Sequence, residues 1–255
     1  MIAGNSAMDV SDLAYRLNLL ESVFDANLKK GLGLIKELSD QHSIQRVRTI
    51  RESRKSEFLL SEEFFQEMDM LVPVHLISSL DSFLKEVAPC VVIGYLEGCY
   101  RPQSEVKLNL AASAFKAFLS DFIDPQQYTP HGLRYFKIYK GFERRSYQNW
   151  EAICSLLRDL GVGFKLRELI EGYLSSDAYS TSNLTHVASY KTVRNEFEDV
   201  LTFRHDAAHR QGSLLKSPAS ETRFCDICQS EHVESVAIVG KSFLRGVRRG
   251  LVWRS

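Results

Sequence analysis

The chain has 255 residues, of which 44% are hydrophobic and 25% charged; 32 basic residues balance 32 acidic ones. Such a chain can bury a sizeable core as one large domain, or as a medium domain with helical extensions. A net charge of zero excludes a global field that draws the protein onto nucleic acid or an anionic membrane, so any such contact has to come from local patches.

The stretch around Val91–Tyr95 is the longest apolar run and is far too short to span a bilayer. The opening MIAGNSAMDVSD lacks a basic region followed by an apolar one, so no secretory signal is read. Five cysteines, an odd number without such a signal, argue against a disulfide framework; a reducing cytoplasm is the expected compartment.

Taken in order, the elements read as helices. Leu13, Leu17, Leu20, Val23, Phe24 and Leu28 recur at helical spacing, predicting a helix from Asp12 to about Leu38 with Ser11 as N-cap and Gly31 and Gly33 as interruption or end. Ser43–Ser56 carries Arg46, Arg48, Arg51, Arg54 and Lys55 against the single acid Glu52, and reads as a solvated helix face or a phosphate-contacting patch. Ser61, with Glu62 and Glu63 behind it, signals a helix start. The apolar segment Phe64 to Val87 follows; Pro73 is expected to kink or split it and Pro89 to end it. A second long segment runs from Ser104 through Leu108, Phe115 and Leu119 and stops before Pro125. Pro125–Gly141 reads as loop, with weak alternation over Tyr135–Tyr139 suggesting a brief strand. Trp150, Ile153, Leu156, Leu157 and Leu160 predict a helix closed by Gly161, and Phe164–Leu174 another. Ser175–Asn183 reads as a loop, and Lys191 to about Ala208 as the last core helix. No internal repeat, low-complexity segment, phosphate-cradling glycine loop, Gly-x-Ser-x-Gly turn or paired-carboxylate signature occurs.

The chemistry-bearing segment is Phe203-Arg204-His205-Asp206-Ala207-Ala208-His209-Arg210-Gln211-Gly212. Arginine stays charged and offers a planar fork to phosphate oxygens, while histidine titrates near neutrality and serves as base or acid. An Arg followed five residues later by His is weak by itself; its place at the end of a core helix, with a glycine just beyond, strengthens it. The segment resembles the signature of the HEPN superfamily, with Arg204 and His209 at the two fixed positions and His205 at the polar one. The resemblance covers roughly Ser61–Gly212. It implies an all-α fold, a HEPN-like helical bundle over 61–215, with an N-terminal helical extension over 1–60 and a C-terminal tail and basic helix over 216–255. It further implies a metal-independent endoribonuclease, used as a toxin or phage-defence effector, that needs no cofactor and leaves a 2′,3′-cyclic phosphate and a 5′-OH. Arg204 then contacts phosphate and His209 handles protons; His205, Asp206, Arg210 and Asp81 are candidates to support the site or contact RNA. One Arg/His set per chain implies a homodimer with a composite site, an RNA substrate, an antitoxin or activator protein as a further partner, and no membrane. The alternative is a catalytically silent HEPN-like interaction module in a larger complex. Two departures stand out: His205 replaces the usual asparagine, and Gln211 replaces the tyrosine of one branch.

Two other features are open. Cys225, Cys228 and His232 supply three metal-competent residues within eight positions, a weak zinc candidate without a second pair nearby, although Cys90, Cys99 or His186 could converge on it in space; free loop thiols are the simpler reading. The terminal stretch from Lys241 to Arg254 has five basic residues and no acid. Phe243, Leu244, Val247, Leu251 and Trp253 lie among them, which favours a packed amphipathic helix over an RNA-gripping arm.

Overall fold

The computed structural model describes residues 8–51, 62–106, 138–180, 187, 189–209 and 230–252; at 38, 39, 41–51, 62–70, 206–209 and 230 only the backbone is described. Of the described residues 79% are helical and none belongs to a strand, so the protein is all-α. The helices are α1 (Val10–Arg51), α2 (Glu62–Leu96), α3 (Trp150–Asp159), α4 (Leu166–Leu174), α5 (Asp177–Ser180), α6 (Tyr190–His209) and α7 (Ser230–Arg248). A further helical stretch covers 138–143. No helix among the described residues is long and apolar enough to cross a membrane.

The chain divides into two compact units, each discontinuous in sequence. Unit 1 comprises Met1–Phe24, Leu80–Thr181 and Ile238–Ser255, and unit 2 comprises Asp25–Ser79 and Ser182–Ala237.

Helix α1 starts at Val10, two residues earlier than Ser11 as N-cap would place it. Asp9 is its cap: the Asp12 N–H donates to Asp9 Oδ1 at 2.8 Å, and the Asp12 carboxylate accepts from the Asp9 N–H at 3.4 Å. Leu13, Leu17, Phe24 and Leu28 are buried, steps of four and seven that keep a stripe on one face. Val23 lies about 100° from Phe24 around the helix and is exposed, together with Tyr15 and Leu19. Neither Gly31 nor Gly33 stops the helix. A Cβ at Gly31 would lie 3.0 Å from Leu76 Cδ2, so its bare backbone serves packing against α2 within unit 2.

Helix α2 passes both of its prolines without a break. An interior proline removes one backbone hydrogen bond and costs about 3 kcal/mol. Val87, Ala88, Cys90, Val91, Val92 and Ile93 flank Pro89 and are all buried. At roughly 1.5–3 kcal/mol for a fully buried large aliphatic side chain, their burial outweighs the penalty. The helix ends instead at Leu96, where Gly98 has φ 79° and the Cys99 N–H reaches the Gly94 carbonyl at 2.7 Å.

Expectation and structure agree on α3. The Asn149 side chain caps it by accepting from the Ala152 N–H at 2.7 Å. Gly161 closes it with φ 70°, and the Val162 N–H bonds back to the Leu157 carbonyl at 3.0 Å. In α4, Glu168 reaches back to the Lys165 N–H at 3.0 Å and fixes the start near the expected place. The Ser175–Asn183 loop instead contains the short helix α5 at Asp177–Ser180. Ile138 and Tyr139 are helical, not extended, because Ile138 and Phe142 bury one face at a four-residue spacing. The long segment predicted after Ser104 lies outside the described residues from 107 onward.

Helix α6 is not the last core helix. Val233, Val236, Ala237, Ile238, Val239, Phe243, Leu244 and Val247 of α7 are buried. The terminal arginines are consumed within unit 1: Arg245 donates to the Gly172 carbonyl at 2.7 Å, and Arg248 donates to Asn18 Oδ1 and Glu21 Oε2, each at 2.6 Å. The Arg249 guanidinium lies 4.4 Å from the centre of the Phe164 ring. The basic stretch is thus a packing helix over its described residues, while Trp253 and Arg254 lie outside them.

Candidate functional site

The candidate segment sits at the C-terminal end of α6, in unit 2. Ser189 starts the helix, its Oγ accepting from the Thr192 N–H at 3.2 Å. Val193, Phe197 and Val200 then form its buried stripe. Arg204 follows Val200 by four residues and continues the same stripe, half-buried. It has no hydrogen-bond or ion-pair partner among the described residues. A half-buried guanidinium is costly unless something anionic meets it.

His205, one residue on, is exposed. His209 is the final residue of α6, with a helical backbone and a side chain outside the described ones. The helix runs from Tyr190 to His209, so positions 204 and 209 lie about 140° apart around its axis. No backbone distortion brings them onto one face. The side chain of Asp206, the whole of Arg210, and Cys225 and Cys228 lie outside the described residues, as do His186 and the side chains of the 43–56 basic stretch.

Asp81 is inward-facing and buried, and its oxygens are used within unit 1. Oδ1 accepts the Tyr147 N–H at 2.6 Å and Oδ2 pairs with Lys85 Nζ at 2.6 Å. Cys90 and Cys99 are also engaged in unit 1: the Cys90 thiol lies 3.2 Å from the Tyr139 hydroxyl, and Cys99 donates to the Met8 carbonyl at 2.8 Å. Burial pushes the Cys90 thiol above its ordinary range, which makes it a poor nucleophile or ligand.

His232 is buried on α7 and meets residues that sequence reasoning had not singled out. Its Nε2 lies 3.0 Å from Glu196 Oε2, and its ring meets Phe203 edge-on at 6.2 Å between centroids. Asp199 completes the group: one ligand atom from each of Glu196, Asp199 and His232 lies within 4.8 Å of the others. The three-residue step from Glu196 to Asp199, with Phe203 four further on, puts all three on one face of α6. That i, i+3 acidic pair on a predicted helix was the available signal, but nothing local points from it to a histidine 33 residues beyond Asp199.

Comparison with protein-family models, with curated proteins and with solved structures found no significant match to this chain.

Proposed function

We propose that the protein is a metal-independent RNA endonuclease of HEPN type that acts as a homodimer in the cytoplasm, as a toxin or phage-defence effector. The observation that carries this reading is Arg204: a half-buried guanidinium without an anionic partner among the described residues, at the end of a helix whose last residue is His209. The all-α architecture agrees with it.

RNA brings its own nucleophile. His209 takes the 2′-OH proton, the 2′ oxygen attacks phosphorus, and the bond to the 5′ oxygen breaks. Arg204 holds the non-bridging oxygens as charge builds on them. The departing 5′ oxygen takes a proton from an imidazolium, and the products are a 2′,3′-cyclic phosphate and a 5′-OH. Because positions 204 and 209 lie about 140° apart around a helix, they do not share a single face, and one copy does not offer both to one phosphate. Two copies meeting about a two-fold axis supply the missing direction.

The test is incubation of the purified protein with tRNA, mRNA and single-stranded DNA in the presence of EDTA. RNA alone should be cut, and Arg204→Ala and His209→Ala should each lower the rate about 100-fold or more. A folded dimer that cuts nothing would point instead to a silent interaction module. Cutting that survives both substitutions would remove the assignment.

A further inference from the structure

We propose that Glu196, Asp199 and His232 bind one divalent transition cation of the zinc class, which fastens α6 to α7 within unit 2. The donor set is an imidazole nitrogen and two carboxylates, a combination that suits zinc; hard cations such as magnesium and calcium take oxygen ligands and leave an imidazole aside. The ligand atoms already lie within 4.8 Å of one another. A tetrahedral shell with bonds of about 2.0–2.1 Å needs them ~3.3 Å apart, so binding draws the three groups together.

Burial is graded across the group: His232 is buried, Glu196 intermediate and Asp199 exposed. The nitrogen ligand is therefore held in place, with Phe203 against its ring, while the carboxylate side stays open to an arriving ion. Charge argues the same way. Two carboxylates face at most one imidazolium, and no lysine or arginine among the described residues pairs with Glu196 or Asp199. The neighbouring Arg194 is taken by Glu198 at 2.8 Å. Among the described residues, a simple histidine–glutamate ion pair leaves the Asp199 carboxylate beside it without a cation; a divalent ion uses all three groups.

This inference does not rest on the nuclease reading. Arg204 points about 80° from Glu196 and 140° from Asp199 around α6, so the ion is a fastener and not a reacting group. The experiment titrates the metal-stripped full chain with zinc by calorimetry and with cobalt(II) by visible absorption. One ion should bind per chain; Asp199→Asn and Glu196→Gln should each weaken binding at least 10-fold, and the Cys225→Ser/Cys228→Ser double variant should bind as the parent does. Asp199 is exposed, so its variant should keep the parent's far-UV circular dichroism. Absence of saturable binding, binding that survives both acid substitutions, or binding lost with the cysteines instead would overturn the site.

Discussion

Asp81 offers a direct measure of what a buried carboxylate contributes in unit 1. It accepts the Tyr147 N–H at 2.6 Å and pairs with Lys85 at 2.6 Å, and Lys85 itself is only 26% exposed. Asp81→Ala removes both partners at once. Losing a hydrogen bond to a charged acceptor and stranding a buried N–H costs about 1.5–3 kcal/mol. Losing the partly exposed ion pair adds roughly 0.5–1 kcal/mol. The expected total is about 2–4 kcal/mol. Asp81→Asn keeps an oxygen for the Tyr147 N–H and loses the charge, so it should cost about 1–2 kcal/mol. Urea unfolding followed by circular dichroism gives both numbers, provided the slope of the transition is unchanged. An alanine variant within 0.5 kcal/mol of the parent, or an asparagine variant as damaging as alanine, would refute the account of Asp81 as an anchor for Tyr147. If Asp81 acts only in this way, neither change should alter the RNA cleavage that the proposed function expects of the protein that remains folded.

Two further stability predictions follow from local geometry. Gly161→Ala should cost at least about 2 kcal/mol in thermal unfolding, because Gly161 has φ 70° and an added Cβ would stand 2.6 Å from Pro102 Cβ; a loss below 0.5 kcal/mol would contradict that packing. At high pH, Tyr100 should weaken the fold: burial pushes its hydroxyl up to about 12, against 10.0 for an ordinary tyrosine. The raised value means that the neutral form is favoured in the folded state. Its contribution is intact below pH 10.0 and fades as pH climbs towards 12, by a loss on the order of 2 kcal/mol. Unfolding measured between those limits should be steeper with pH in the parent than in Tyr100→Phe, and equal slopes would argue against it.

Much of the helical pattern was legible because its signals are local. The Asn149 cap and the closing Gly161 bracket α3 by backbone hydrogen bonds within a few residues. The α6 stripe of Val193, Phe197 and Val200 is a periodicity that one helix carries by itself. The same is true of Arg204 and His209, whose place at the helix end follows from spacing alone. Where local rules misled, a distant contact had won. Pro89 was expected to stop α2, yet buried neighbours on both sides carry the helix to Leu96. The apolar spacing of α7 pointed to a packed helix, but not to its partners: Arg245 and Arg248 find theirs on segments 73 and 227 residues away.

By itself, then, the amino-acid sequence determined that this is a helical protein and put an arginine and a histidine at the end of one of its helices, since helix propensity, capping and amphipathic spacing act over a single turn or a few. Only the tertiary structure decided which side chains meet. It committed Asp81 to the Tyr147 backbone, and it brought His232 against Glu196 and Asp199, because burial of one helix face is settled by whichever other face it packs on, and that partner is remote along the chain.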